Sequence, residues 1–267
     1  MLALAVPIYA QGFQAEGVTE PKVDEQLSTV VRGLVGSILV KEGQEVKKGD
    51  IIMELRKELE SLETSRRKVV WESKLELKAA EDRLDTVKQD LDSTRRLYHS
   101  TRSISKEKLL EKELEYKLAL ADFERQKVSE ILQELEYKIA EEQLLLREIR
   151  SPIDGVVTKL FRHVGEIAEP GQPLVRVVDT KTCQFVSHIE ARDARNLKEG
   201  EEVRLEVEAG DKPAVFEGTI SFVSPTVDAA SGLQEIKVKF DNSKGEIRPG
   251  VAARMFAEKK VLVGLEK

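Results

Sequence analysis

Three regimes of apolar spacing follow one another along this chain. From Gly33 to Leu55, and again from Gly155 to Val177, short apolar runs are interrupted by glycines and charges, as in strands joined by tight turns. Between Arg56 and Ile149 there is no Gly and no Pro, and apolar residues recur at alternating steps of three and four. That spacing predicts helices burying a two-in-seven seam. From Thr180 on the period falls to two. Phe185, Ser187, Ile189; Val203, Leu205, Val207; Phe216, Gly218, Ile220, Phe222; and Ile236, Val238, Phe240 alternate as half-buried strands do.

The first regime is a repeat split in two. Residues 33–55 and 155–177 superimpose without a gap at an offset of 122, which brings Gly33 onto Gly155, Gly43 onto Gly165 and Gly49 onto Gly171. Leu34/Val156, Val35/Val157, Ile38/Leu160 and Ile52/Leu174 coincide too. The six glycines are expected where the backbone needs positive φ. Neither half can bury a core alone, so the two together are expected to form one small β-unit. They resemble the halves of a biotinyl/lipoyl domain. In that family the swinging lysine sits ten residues after the glycine equivalent to Gly49. Here that position is Leu59, with Lys57 two residues off, so no covalent cofactor is expected.

The second regime predicts two arms. The first carries Leu77, Ala80, Leu84, Val87, Leu91, Thr94 and Tyr98. The second carries Leu114, Leu118, Ala121, Arg125, Val128, Leu132, Leu135, Ile139, Glu142, Leu146 and Ile149. Nearer the start, Leu55, Leu59, Leu62, Arg66 and Val69 follow the same rule, with a four-residue stutter around Ser73 that should locally unwind the coil. The polar stretch His99-Ser100-Thr101-Arg102-Ser103 is the expected reversal, with Ser103 or Ser105 capping the second arm and Glu107 in its first turn. Each arm would be about 65 Å long. A four-helix bundle would need three turns, and one is visible.

In the third regime, Lys198-Glu199-Gly200, Ala209-Gly210-Asp211, Ser224-Pro225, Ala230-Ser231-Gly232 and Arg248-Pro249-Gly250 read as turns. Five or six strands so spaced predict a small β-barrel, with a helical turn over Ala191–Leu197.

Composition narrows the function. With 49 acidic and 43 basic side chains among 267 residues and no cationic face, a nucleic-acid partner is excluded. One cysteine, Cys183, allows no intramolecular disulfide, and His99, His163 and His188 are too scattered for a metal cluster. Met1, Met53 and Met255 do not make a methionine metal site. Asp193, Asp211, Asp228 and Asp241 fall at turns, and no nucleophile, base and orienting acid come together. No enzyme activity, catalytic residue, cofactor or metal is expected. The uncharged start, with the apolar Met1–Ala10, reads either as a signal remnant or as an N-terminal strand. No apolar run reaches transmembrane length.

The order β-half, hairpin, β-half, barrel resembles the periplasmic adaptor or membrane fusion protein family of efflux pumps and type I secretion systems. Its specific pieces are Gly43-Gln44-Glu45-Val46-Lys47-Lys48-Gly49, Arg150-Ser151-Pro152-Ile153-Asp154-Gly155, Ser224-Pro225-Thr226-Val227-Asp228 and Arg248-Pro249-Gly250. The expected fold is α+β and elongated: a split lipoyl-like β-domain with an inserted antiparallel coiled-coil hairpin, then a small β-barrel. The expected domains are 1–28 as signal remnant and N-terminal strand joining the barrel, 29–55 with 150–178 as the lipoyl-like unit, 56–149 as the hairpin, 179–258 as the barrel and 259–267 as a tail. The chain's end at Lys267 implies that a membrane-proximal domain is absent or truncated.

The resemblance implies a non-catalytic bridge in the Gram-negative periplasm. Copies would pack side by side, commonly as hexamers, between an inner-membrane transporter and an outer-membrane channel. Drug-pump adaptors carry at the tip an arginine, a leucine four residues on and a serine seven after that. Ile104-Ser105 matches the family's Ile-Ser, but the positions seven and eleven before Ser105 are Tyr98 and Thr94. Arg95, Arg96 and Leu97 are out of step, so either the loop holds an extra residue or this tip departs from the pattern. Candidate channel contacts are therefore Arg95, Arg96, Leu97, Tyr98, Ile104 and Ser105. A coiled-coil scaffold of the envelope without a transport role is the alternative.

Overall fold

The computed structural model describes residues 13–100, 103–209 and 212–257. The proposed signal remnant Met1–Ala10, Thr101 and Arg102 of the reversal, Gly210 and Asp211, and the tail 259–267 lie outside the described residues. In chain order the elements are β1 (Phe13–Pro21), β2 (Asp24–Ser28), β3 (Gly33–Ile38), β4 (Glu45–Val46), β5 (Ile51–Leu55), α1 (Glu58–Glu72), α2 (Leu75–Ser100) and α3 (Lys106–Leu145). Then follow β6 (Glu148–Arg150), β7 (Gly155–Leu160), β8 (Ile167–Ala168), β9 (Pro173–Val178), β10 (Thr182–Glu190), α4 (Ala191–Ala194), β11 (Glu202–Ala209), β12 (Lys212–Val223), β13 (Leu233–Asp241) and β14 (Ala252–Ala257). Two compact units result, one built from the chain up to Met53 and from Ile149 onward, the other from Glu54–Glu148.

The split repeat becomes a pair of four-stranded sheets, ordered β2-β9-β7-β4 and β6-β5-β3-β8. The halves exchange equivalent hydrogen bonds. Gly43 N donates to Val157 O at 2.7 Å while Gly165 N donates to Val35 O at 2.9 Å. Gly49 N donates to Ser151 O and Gly171 N to Thr29 O, at 2.7 and 3.2 Å. These four glycines have φ between 76° and 92°, a conformation costly for any residue with a Cβ. The remaining pair, Gly33 and Gly155, corrects the positive-φ expectation. Neither has positive φ; at Gly155 a Cβ would sit 2.6 Å from Val178 O, so close strand approach demands glycine there. Val35, Ile52, Val157 and Leu174 are fully buried, the same position in each half.

The barrel closes as β1-β10-β13-β12-β11-β14 around Phe185, Leu205, Ile236, Val238 and Met255. Ile220 also points inward, but a bulge after it shifts the register, so Val223 rather than Phe222 packs against the core. Cys183 is buried here, and burial first, then the nearby Asp179 charge, push its thiol up to about 11. Such a thiol is inert at neutral pH.

In the helical unit the first arm is two helices, α1 and α2, separated at Ser73-Lys74, where the stutter was expected. On α2, Ala80, Val87, Leu91 and Thr94 are buried, as expected for the seam. On α3 and α1 the expected seam faces out. Leu114, Leu118, Leu132 and Ile139 are 55–63% exposed, and Leu59, Leu62 and Val69 are 67–76% exposed. The inner face of α3 is instead the series two residues earlier, including Tyr116, Ala119, Phe123, Tyr137 and Ala140, and that of α1 is Lys57, Glu60, Thr64, Arg67 and Trp71. Two residues turn a helix by about 200°, so the two series lie on nearly opposite sides. Leu55 and Ile149, read as helix-seam residues, are buried strand residues of β5 and β6. The helices therefore start in a phase set by those strands.

Candidate functional site

The tip of the helical unit is built by the ends of α2 and α3. Ser105 caps α3: its backbone is extended (φ −74°, ψ 157°) and its Oγ accepts from Lys108 N at 3.2 Å. Glu107 sits in the first turn, and its own backbone N–H, then the Ser105 hydroxyl, hold its carboxyl below the usual glutamate range. The order cap, then acid, is what orphan amides at a helix start favour.

The remaining candidate contacts divide between faces. Tyr98 continues the inward series, is half-buried and stacks edge-on against His99 at 5.3 Å. Arg95 is exposed and its Nη2 reaches Glu113 Oε1 across the seam at 3.0 Å; Arg96 donates to Ser93 Oγ at 3.0 Å. Arg95, Arg96, His99 and Ser100 line a shallow hollow. Leu97 is 46% exposed, while Ile104 is half-buried. Arg96 thus shares a surface with Arg95 and His99, whereas Tyr98 is half-buried against the His99 ring.

At the base, Lys57 Nζ lies 2.6 Å from Glu54 Oε1 and 2.7 Å from Glu148 Oε1. Hydrogen bonds from Glu148, then Glu54, raise its pKa. Arg147 joins Glu60 at 2.5 Å, Thr64 donates to the Ala140 carbonyl at 3.0 Å, and Arg67 pairs with Glu136. Leu59, the position of a swinging lysine in lipoyl carriers, is an exposed apolar residue of α1. The arrangement joins the two helices by ion pairs and a close backbone approach.

Sequence reading missed the flanks. Exposed apolar rows run along the outer faces of α1 and α3. The sequence carried only a weak signal for them: the series two residues earlier holds aromatics and alanines such as Tyr116, Ala119, Phe123, Tyr137 and Ala140, but also more charged and polar residues than the leucine series.

Among the described residues no group of three or more His, Cys, Asp or Glu side chains is placed to hold a metal. Among them, too, no helix is long and apolar enough to cross a membrane.

The model of the RND MFP barrel-sandwich hybrid domain matches residues 25–180, and that of the CusB-like beta-barrel domain matches 186–260. A curated but uncharacterized protein of Haemophilus influenzae is 24% identical over 242 residues, 90% of this chain and 55% of its own. The chain thus spans about half the length of that relative. Among solved structures, MacA from Actinobacillus actinomycetemcomitans superimposes with a TM-score of 0.76 at 22% identity, covering 92% of this chain and 78% of that one. The membrane fusion protein Spr0693 from Streptococcus pneumoniae gives 0.60 at 15% identity, covering 93% and 100%.

Proposed function

Because the chain belongs to the RND membrane fusion protein family, we propose that it is a non-catalytic periplasmic adaptor linking an inner-membrane transporter to an outer-membrane channel in an efflux or secretion complex. One observation carries the reading: the barrel-sandwich match from 25 to 180 encloses the whole helical unit between two β-halves. The β-halves and barrel offer the transporter a stable base, and the helices offer reach. Forty residues of α3 extend about 60 Å. The tip residues Arg95, Arg96, Leu97, Tyr98, Ile104 and Ser105 are the proposed channel contact. Copies of the chain assemble side by side to enclose the conduit, as a hexamer by family resemblance. The domain boundaries proposed above, 29–55 with 150–178 for the lipoyl-like unit and 179–258 for the barrel, divide the labour accordingly.

The test is affinity capture of the tagged chain from mildly cross-linked cell envelopes, followed by mass spectrometry. Capture of both a transporter and a channel is expected. Deleting residues 83–89 together with the facing 115–121 shortens both arms by one heptad. That variant should still capture the transporter but lose the channel. Capture of neither protein by the intact chain, from an envelope holding both, would replace the adaptor with the coiled-coil scaffold.

A further inference from the structure

The turn Arg248-Pro249-Gly250 has a structural reason at two of its three positions. Gly250 sits at φ 106° and donates its N–H to Thr19 O at 2.7 Å, and Pro249 fixes the bend before it. Arg248 has no such reason. Its side chain is exposed and makes no ion pair or hydrogen bond with another described residue. It lines a cavity of about 360 Å³ together with Lys244 from its own loop, Lys181 from the linker between β9 and β10, and Glu45 from β4.

The floor of this cavity is built to stay in place. Asn242 is 2% exposed and commits its whole amide to the floor. Its Nδ2 donates to Thr180 O and to Ile247 O, both at 2.9 Å, and its Oδ1 accepts from Ile247 N at 3.1 Å. Asn242 N ties the linker to the same loop by donating to Lys181 O at 2.8 Å. Two neighbouring carboxylates are occupied by backbone: Asp179 accepts from Lys181 N and Thr182 N, and Asp241 from Ser243 N. Glu45 is the only acidic side chain lining the cavity, against three cations, in a chain whose net charge is −6. Lys181 comes no closer to Glu45 than 3.9 Å, nor Lys244 to Glu246. All four side chains are well exposed, so both pairs are loosely held. A concave wall rich in one sign of charge concentrates counter-ions, and a wall fixed in advance loses little freedom on binding.

We propose that this cavity binds a small multivalent anion of the polyphosphate kind, held by Arg248, Lys244 and Lys181. The planar fork of Arg248 matches two oxygens of one phosphate group, and the lysines, on separate segments, reach a second. The apolar side chains on the wall are Pro249 and the buried Ile247. Neither offers a surface for an acyl chain, which favours a free anion over a lipid headgroup. A bound anion would compete with Glu45 for Lys181. The site stands whether or not the chain bridges a transporter and a channel.

The test is calorimetric titration of the full chain with pyrophosphate at constant ionic strength, which holds general screening fixed. Saturable one-to-one binding is expected. Arg248→Ala should weaken it about tenfold, the scale of one lost charged hydrogen bond, and Lys181→Ala or Lys244→Ala should weaken it in the same direction. Glu45→Gln should strengthen it, because the wall then loses its negative charge. Arg192→Ala removes an exposed cation beyond the other end of β10 and should change nothing. All these side chains are exposed, so the variants should fold as the parent does. Absence of saturable binding, or binding that Arg248→Ala leaves intact, would overturn the proposal. So would retention on phosphatidylglycerol vesicles by a chain that does not bind pyrophosphate, since the phosphate would then be lipid-borne.

Discussion

Trp71 and Tyr137 stack nearly face to face, with ring centroids 5.3 Å apart and planes 10° from parallel. The pair sits at the last turn of α1, just before the break at Ser73-Lys74. It closes the polar half of the helix seam, where Thr64 and Arg67 hold α1 on α3. Beyond the break, α2 meets α3 through Ala80, Val87 and Leu91 on its side and Ala119 on the other. The stack is therefore the joint between an ion-paired seam and an apolar one.

Tyr137→Leu should remove the stack while keeping much of the buried area. A loss of about 1 kcal/mol is expected, the typical worth of an aromatic pair beyond its area. Trp71 is the sole tryptophan of the chain, so its fluorescence reports this joint without labelling. Emission should shift to the red in the variant; an unchanged spectrum would mean that the ring is not stacked in solution.

Gly43 has open space around the site of a Cβ but a φ of 86°. Gly43→Ala should therefore cost about 1–2 kcal/mol from backbone strain alone, and Gly43→Asn less. Gly155→Ala tests a different cause, since the new methyl would meet Val178 O at 2.6 Å. Chemical unfolding of these three and of Gly155→Asn separates the causes: asparagine should rescue at 43 and fail at 155.

Lys57 stands between two carboxylates, and its pKa is raised in the fold. Its contribution is present in full below the ordinary lysine value near 10.5 and is lost as pH climbs through the raised one. Stability should fall more gently above pH 10 in Lys57→Met than in the parent. At neutral pH that variant should lose about 1–2 kcal/mol, because the largely enclosed Glu148 loses the charged hydrogen bond from Lys57. Glu148→Gln in the same chain should recover part of the loss, read by thermal unfolding at pH 7 and again above pH 10.5.

Glu63 titrates on the acid side. Hydrogen bonds from Arg66, then Arg67, lower its carboxyl to about 2. A depressed value means that its contribution is intact above the ordinary glutamate value of 4.5 and disappears as pH falls toward 2. Carboxyl-detected NMR should find its midpoint well below those of other glutamates, and Arg66→Ala should raise it. A midpoint near 4.5 in the parent would show that the pair does not persist in solution.

Ser105 caps α3 and is also a proposed channel contact, and the two roles can be told apart. Ser105→Ala should cost about 1 kcal/mol at the start of α3 and speed amide exchange over residues 106–109. Ser105→Asp keeps a capping oxygen and should keep that protection. If the hydroxyl also meets the channel, Asp will hold the helix yet lose capture of the channel. Capture retained by Ser105→Asp would leave Ser105 as a cap alone.

What the amino-acid sequence determined by itself is what depends on neighbours close in the chain or on a repeat. The offset of 122 was legible because each half needs the same turns, and those turns need left-handed glycines at Gly43, Gly49, Gly165 and Gly171. The helical insert was legible because no breaker occurs between Arg56 and Ile149, and the stutter at Ser73 because local spacing shows it. The alternating strands of the barrel were legible up to the bulge beyond Ile220, where one extra residue exchanges the roles of Phe222 and Val223.

Tertiary structure alone decided which way the long helices face. α3 carries two series with the same three-four spacing, one through Leu114 and Ile139 and one through Tyr116 and Tyr137. Period cannot choose between series that share it. The choice follows from the strands at either end, where Leu55 N donates to Arg147 O at 2.8 Å and so sets the rotation with which α1 and α3 meet. Side chains that fit a close antiparallel approach, Thr64 against Ala140 and Trp71 against Tyr137, then take the seam. The leucines, the stronger signal in the sequence, are left on the outside.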